Sequence, residues 1–251
     1  MKNELGTLIV TGASSGIGAA IALLAAERGY AVVVNFNSGA DRAGDIVDKI
    51  RAGGGRALSI KADVSREDEV IQLFDASAKS MGPISGLINN AGITGGFARV
   101  EELTADTIRR VFAVNAVGTI LCSREAVRRM STRHGGAGGA IVNISSRAAQ
   151  LGSAGEWVHY AASKGAIDSF TIGLAREVAM EGIRVNAVAP GLIDTELHVS
   201  SGAPGRLQRL MGTVPMQRPG KPEDVAEAAL WLLSSSAEYV TAAILDVAGG
   251  R

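Results

Sequence analysis

The chain of 251 residues holds one cysteine, three histidines and an aromatic share of only 4%. A lone Cys122 excludes an intrachain disulfide. It lies in a helical segment with no base beside it in sequence, which reads as buried and inert. His134, His159 and His198 show no metal-ligand spacing and no cysteine cluster joins them, so no catalytic metal is expected. Neither sign of charge dominates, with 25 Lys and Arg against 25 Asp and Glu, so nothing favours nucleic acid or an anionic membrane as partner. No apolar run approaches transmembrane length. Met1 to Gly6 lead straight into an apolar strand with no room for a signal peptide, and these absences point to the cytoplasm.

What is abundant is apolar residues, 47% against 20% charged, enough for a sizeable core. The 32 glycines are spread through turns, and no repeat, low-complexity tail or Pro-rich linker marks a domain boundary. One domain over residues 1–251 is the expectation. Short β-branched runs near 7–11, 31–36, 56–61, 85–89, 140–145, 183–188 and 243–247 read as strands. Longer amphipathic stretches near 17–28, 39–52, 66–80, 104–133, 156–181 and 222–234 read as helices. Such βα alternation predicts an α/β fold: a doubly wound, Rossmann-type parallel sheet of seven strands with helices on both faces.

Two motifs carry chemistry. Leu8-Ile9-Val10 is followed by Thr11-Gly12-Ala13-Ser14-Ser15-Gly16-Ile17-Gly18 and then by a helical run. Glycines between strand and helix let the backbone approach a pyrophosphate, which the free N–H groups of the helix N-terminus attract. The spacing is Gly-x-x-x-Gly-x-Gly rather than GxGxxG, and by itself it also suits a βα turn that binds nothing. Tyr160 and Lys164 stand at i,i+4 on one helix face, where the ammonium favours the phenolate and pulls the tyrosine pKa down from about 10. Alone, that pair is equally a half-buried tyrosine beside a surface lysine.

The expected sheet topology weighs against those bland readings. Ligands of doubly wound sheets sit beyond the carboxyl ends of the strands. There the sequence sets the glycine turn, Asp63-Val64, Asn89-Asn90-Ala91-Gly92, Ser145-Ser146 and Pro190-Gly191-Leu192-Ile193-Asp194-Thr195, with the Tyr160 helix starting just past Ser146. Polar and small residues from many positions converge on one rim, which packing does not require.

In this order the motifs resemble the classical short-chain dehydrogenase/reductase (SDR) family over Leu5 to Gly250: TGxxxGIG at 11–18, NNAG at 89–92, Asn115 in a long helix, serines at 145–146, YxxxK at 160–164 and PG at 190–191. The resemblance implies NAD(P)-dependent interconversion of a carbonyl and an alcohol. It implies that Tyr160 is the general acid or base, that Ser146 polarises the carbonyl, that Lys164 holds the nicotinamide ribose and that Asn115 anchors a water linking Lys164 to solvent; Ser145 is the packing serine. It implies a cofactor site at Gly12, Ser14, Ser15, Gly16, Ile17, Gly18, Asn37, Ser38, Asp63, Val64, Asn89, Ala91, Gly92, Tyr160, Lys164, Pro190, Gly191, Ile193 and Thr195, with no metal. Tyr160 follows Ser146 by 14 positions, one more than the family pattern, within a loop that lines the family's substrate pocket. A dinucleotide-binding regulator or scaffold of the same fold would lack one of Asn115, Ser146, Tyr160 and Lys164; all four are present.

NAD preference needs a carboxylate near the end of the second strand, to accept from the ribose 2′-OH. Here that strand ends Val34-Asn35-Phe36-Asn37-Ser38, with Arg42 beyond. The expectation is NADP(H), with NAD(H) left open. The resemblance implies a small carbonyl or alcohol substrate, with a sugar, polyol or 3-oxoacyl thioester among the classes. It also implies a substrate-covering loop over about 192–215, whose Glu196, His198, Arg206 and Arg209 read as a solvated lid face, with an anionic-substrate site as the other reading. His159 points about 100° away from Tyr160 and reads as packing or interface. Small and apolar residues on two sides of the helices at 104–133 and 156–181 predict a homotetramer.

Overall fold

The computed structural model describes residues 5–195 and 205–251, so Glu196 and His198 lie outside the described residues. The strands are β1 Thr7–Val10, β2 Ala31–Phe36, β3 Arg56–Lys61, β4 Ile84–Asn89, β5 Gly139–Ile144, β6 Ile183–Pro190 and β7 Ile244–Val247. They form one parallel sheet in the order β3-β2-β1-β4-β5-β6-β7, so the strand order reverses between β1 and β4.

Burial follows position in the sheet. Central β1 and β2 are buried at every residue, as strands covered on both faces must be, whereas edge strand β3 buries only Ala57 and leaves Arg56, Ser59 and Lys61 exposed. The period of two sends Leu8 and Val10 to one face and Ile9 to the other. On the first face they meet α1 (Gly16–Glu27), α2 (Ala40–Ala52) and a late helix, Pro222–Leu233. On the second they meet α3 (Glu67–Met81), whose Phe74 is fully buried, and the helices that carry Cys122, Met130 and Ala175. Each such large side chain contributes about 1.5–3 kcal/mol. Cys122 is buried, and burial pushes its thiol up to about 12. Among the described residues, no helix is long and apolar enough to cross a membrane.

Two expected helices differ. The stretch 104–133 is divided into α4 (Ala105–Phe112), a π-helical turn at Ala113–Val117, α5 (Gly118–Met130) and a 3₁₀ turn at Thr132–His134. The π turn lets Asn115 reach sideways: its Nδ2 donates to Ile93 O and Ser163 Oγ, each at 2.9 Å, and its Oδ1 accepts from Ile93 N at 2.8 Å. The helix expected at 156–181 starts at Val158 (α7, Val158–Val178), because Glu156 and Trp157 both donate their N–H groups back to Ser153 O. Two short helices are also present, α6 (Ala148–Leu151) and α8 (Arg206–Leu210), which makes Pro222–Leu233 α9.

Candidate active site

A cleft of roughly 910 Å³ runs along the carboxyl ends of the strands. At one end lie Asn37, Ser38 and Arg42, then the glycine turn, then Ala91 and Gly92, and at the far end Ser146, Tyr160 and Lys164. Ser14, Ser15, Gly16, Ile17, Asp63, Val64, Pro190, Gly191, Ile193 and Thr195 also line it.

The glycine turn is locked from behind. Gly12 sits at φ 62°, and a Cβ there would lie 2.9 Å from Ala91 Cα. Gly18 does not face the cleft; a Cβ on it would lie 2.5 Å from both Asn90 Nδ2 and Gly12 O, so it lets α1 pack onto the turn after β4. Thr11 Oγ1 accepts from the N–H groups of Asn90 and Ala91 at 3.0 Å. Asn35 Oδ1 accepts from Gly12 N at 3.3 Å, while its Nδ2 donates to Ile60 O and Ala62 O. These struts were not anticipated, although a lone Asn in the apolar run Val32-Val33-Val34 was a readable signal. Ser15 caps α1 without a side-chain hydrogen bond and the first turn holds no acid. The N–H groups of a twelve-residue helix are thus left to a phosphate, and the cradle fits a dinucleotide.

Asn89 turns away from the cleft, donating to Ser123 Oγ at 3.0 Å and Asn143 Oδ1 at 2.9 Å; its neighbour Asn90 faces in. Asn115 likewise stands behind the wall. Gly92 joins it to Lys164: a Cβ on Gly92 would lie 3.4 Å from Asn115 Oδ1 and 3.5 Å from Lys164 Nζ. His159 is buried against Gly95 and Val111, and burial holds it below the ordinary histidine range. Ser145 Oγ donates to Asp168 Oδ1, away from the phenol.

The electrostatics of Tyr160 depart from the sequence expectation. Burial raises its pKa, and the opposing influences are hydrogen bonding by Ser146 and the positive charge of Arg206. Lys164 Nζ is 5.7 Å from the Tyr160 ring centroid and donates to Ile144 O at 2.7 Å. Burial lowers Lys164 to about 8, with Asp168 opposing. The ammonium is therefore itself strained by desolvation.

Beyond Tyr160 the wall is made of long side chains. Phe97, Trp157 and Tyr160 stack edge to face, with centroids 6.1 Å apart in each pair. Arg206 and Arg209 both bind Glu156 and lie over Trp157 and Phe97 respectively. Arg206 is thus not a solvated lid residue, and no local pattern could have revealed it.

A doubly wound sheet with a dinucleotide cradle and a Ser, Tyr and Lys set at its rim defines a nicotinamide-dependent oxidoreductase. The family model described as enoyl-(acyl carrier protein) reductase matches residues 12–251. An uncharacterized oxidoreductase of Escherichia coli (strain K12), YgfF, is 51% identical over 243 residues, covering 97% of this chain and 98% of that one. Glucose 1-dehydrogenase 2 of Bacillus subtilis (strain 168) is 40% identical, covering 97% and 93%. A solved 7α-hydroxysteroid dehydrogenase, complexed with NADH and 7-oxo glycochenodeoxycholic acid, superposes with a TM-score of 0.91 at 34% identity, covering 98% of this chain and 94% of that one. The chain belongs to the short-chain dehydrogenase/reductase family and is an oxidoreductase.

Proposed function

We propose that the chain, working as one dinucleotide-binding unit, interconverts a carbonyl and a secondary alcohol on a small molecule, with NADP(H) preferred over NAD(H). The convergence of Ser146, Tyr160 and Lys164 on the cleft opened by the glycine turn carries this reading. A nicotinamide bound there supplies or accepts the hydride. Tyr160 Oη gives its proton to the developing alkoxide, and takes it back in oxidation. Ser146 Oγ donates to the same oxygen, and its bond to the phenol favours proton release. Lys164, fixed by Ile144 O, holds the ribose hydroxyls. The lack of a carboxylate at 35–38, with Asn37, Ser38 and Arg42 on the cleft wall, supports NADP(H).

Tyr160→Phe is expected to lower kcat by about 10²–10⁴ with cofactor binding nearly unchanged, read by turnover and by calorimetric titration of NADPH. Retention of more than about a tenth of kcat refutes the role. Exposed Val117 and Ile120 on the α4–α5 segment and exposed Ala162, Ala166 and Gly173 on α7 support a homotetramer with paired isologous interfaces. Light scattering at micromolar concentration is expected to give about four chain masses, and the 25.7 kDa of one chain would exclude it.

A further inference from the structure

Arg206 is 8% exposed, yet it lines the open cleft together with Ser146 and Tyr160. Its guanidinium lies over the Trp157 ring, with Cζ 4.2 Å from the centroid, and its Nε donates to Glu156 Oε2 at 2.9 Å. The ring contact and the Glu156 bond together restrain the group. Among the described residues, its two terminal nitrogens have no hydrogen-bond partner. This guanidinium is nine-tenths out of water and gives Glu156 only its Nε, which leaves the terminal N–H groups for the cleft, where a planar anion is their natural complement.

The surroundings do not cancel the charge. Glu156 is shared with Arg209, so two cations rest on one carboxylate. Arg251 also faces the cleft, its Nε held by Thr213 Oγ1 at 2.8 Å, and Arg147 is matched by Asp246. The other acid on the cleft wall among the described residues, Asp63, is at the opposite end and is paired with Arg110. The end that holds Tyr160 therefore carries surplus positive charge supplied by side chains, separate from the Asn37–Arg42 end.

We infer that Arg206 is a specificity-determining residue that binds a carboxylate carried by the substrate, on the same molecule as the reacting carbonyl and a few atoms from it, with Arg251 as a second cation at that end. The preferred substrates are then oxo acids and their hydroxy acid products. This rests on the reading of Tyr160 as the proton donor.

The test compares reduction of levulinate and its one-carbon-longer homologue with reduction of their methyl esters, by the parent protein, Arg206→Gln and Arg206→Lys with NADPH. The parent should favour each acid over its ester. In Arg206→Gln that ratio of kcat/KM should fall about tenfold or more, through KM rather than kcat, and Arg206→Lys should restore part of it. A merely structural Arg206 would depress acid and ester alike. A parent that uses the esters as well as the acids, or a ratio unchanged in Arg206→Gln, overturns the inference. Calorimetric titration of hexanoate into the NADP⁺-loaded protein needs no turnover. Binding that survives Tyr160→Phe but is lost in Arg206→Gln supports the site even if no ketone is reduced, an outcome that would sink only the reaction. Ketone reduction without hexanoate binding would sink only the anion site.

Discussion

On the glycine-turn side of the cleft the chain presents mostly backbone: Gly12, Gly16, Ala91 and Gly92, with short side chains such as Ser14 and Ser15 between them. On the far side it presents Trp157, Arg206 and Arg251. The first wall is held by the side chains of Thr11, Asn35 and Asn90, each spending its hydrogen bonds on main-chain atoms. The second is held by ion pairs and ring contacts among side chains from distant segments. A wall of backbone offers a fixed geometry suited to the pyrophosphate that dinucleotides share. A wall of side chains can be rewritten one residue at a time, so substrate choice is expected to vary there while the cradle stays.

Lys164 marks the seam of the two walls, and altering it should have the larger effect. Its lysine holds a proton up to about 10.5 when unfolded but only to about 8 when buried in the fold, so the unfolded chain binds more protons between those values. Stability is thus expected to rise with pH from about 8 to 10.5, and the full penalty, on the order of 3 kcal/mol, applies below 8. Lys164→Met removes that penalty and loses one hydrogen bond to Ile144 O, for a net gain of about 2 kcal/mol at pH 7 alongside lost activity. Urea denaturation at pH 7 and pH 10 checks it: the gain should shrink at the higher pH, and a gap independent of pH contradicts the desolvated ammonium. The smaller effect belongs to the other wall. Phe36 is packed in the core, but Ser38 is exposed at the cleft end, so Ser38→Asp can add a carboxylate without disturbing packing. It should lower the NADPH to NADH affinity ratio about tenfold by repulsion of the 2′-phosphate, with stability unchanged. A parent that binds NADH more tightly in calorimetry would reverse the cofactor assignment.

The same contrast governs what could be read without coordinates. The doubly wound sheet was legible because strand burial leaves continuous apolar runs such as Val32-Val33-Val34. The glycine turn was legible because a close backbone approach admits no side chain. Tyr160 and Lys164 were legible because helical spacing alone puts them together. Asn89 and Asn90 were not separable, since which of two adjacent residues faces the cleft depends on where β4 ends. The source of the influence on the phenol was misjudged because a neighbour at i+4 is visible in sequence, whereas Arg206, 46 positions away, is not. Its partner Glu156 lies in the Ser146–Tyr160 segment, whose length was legible but whose contacts were not.

The π turn at Ala113–Val117 works as a phase shifter. It inserts one extra residue into what would otherwise be a continuous spiral, and each residue is worth about 100° of azimuth. The stripe of α4 that carries Val111 toward Gly95 and His159 and the stripe of α5 that carries Cys122 and Ala126 into the sheet are therefore set out of step by the extra residue. A deletion of a single residue there would restore an unbroken spiral and swing one stripe about a quarter turn off its target, so the length of this segment sets the placement of Asn115 against Ile93 and Ser163.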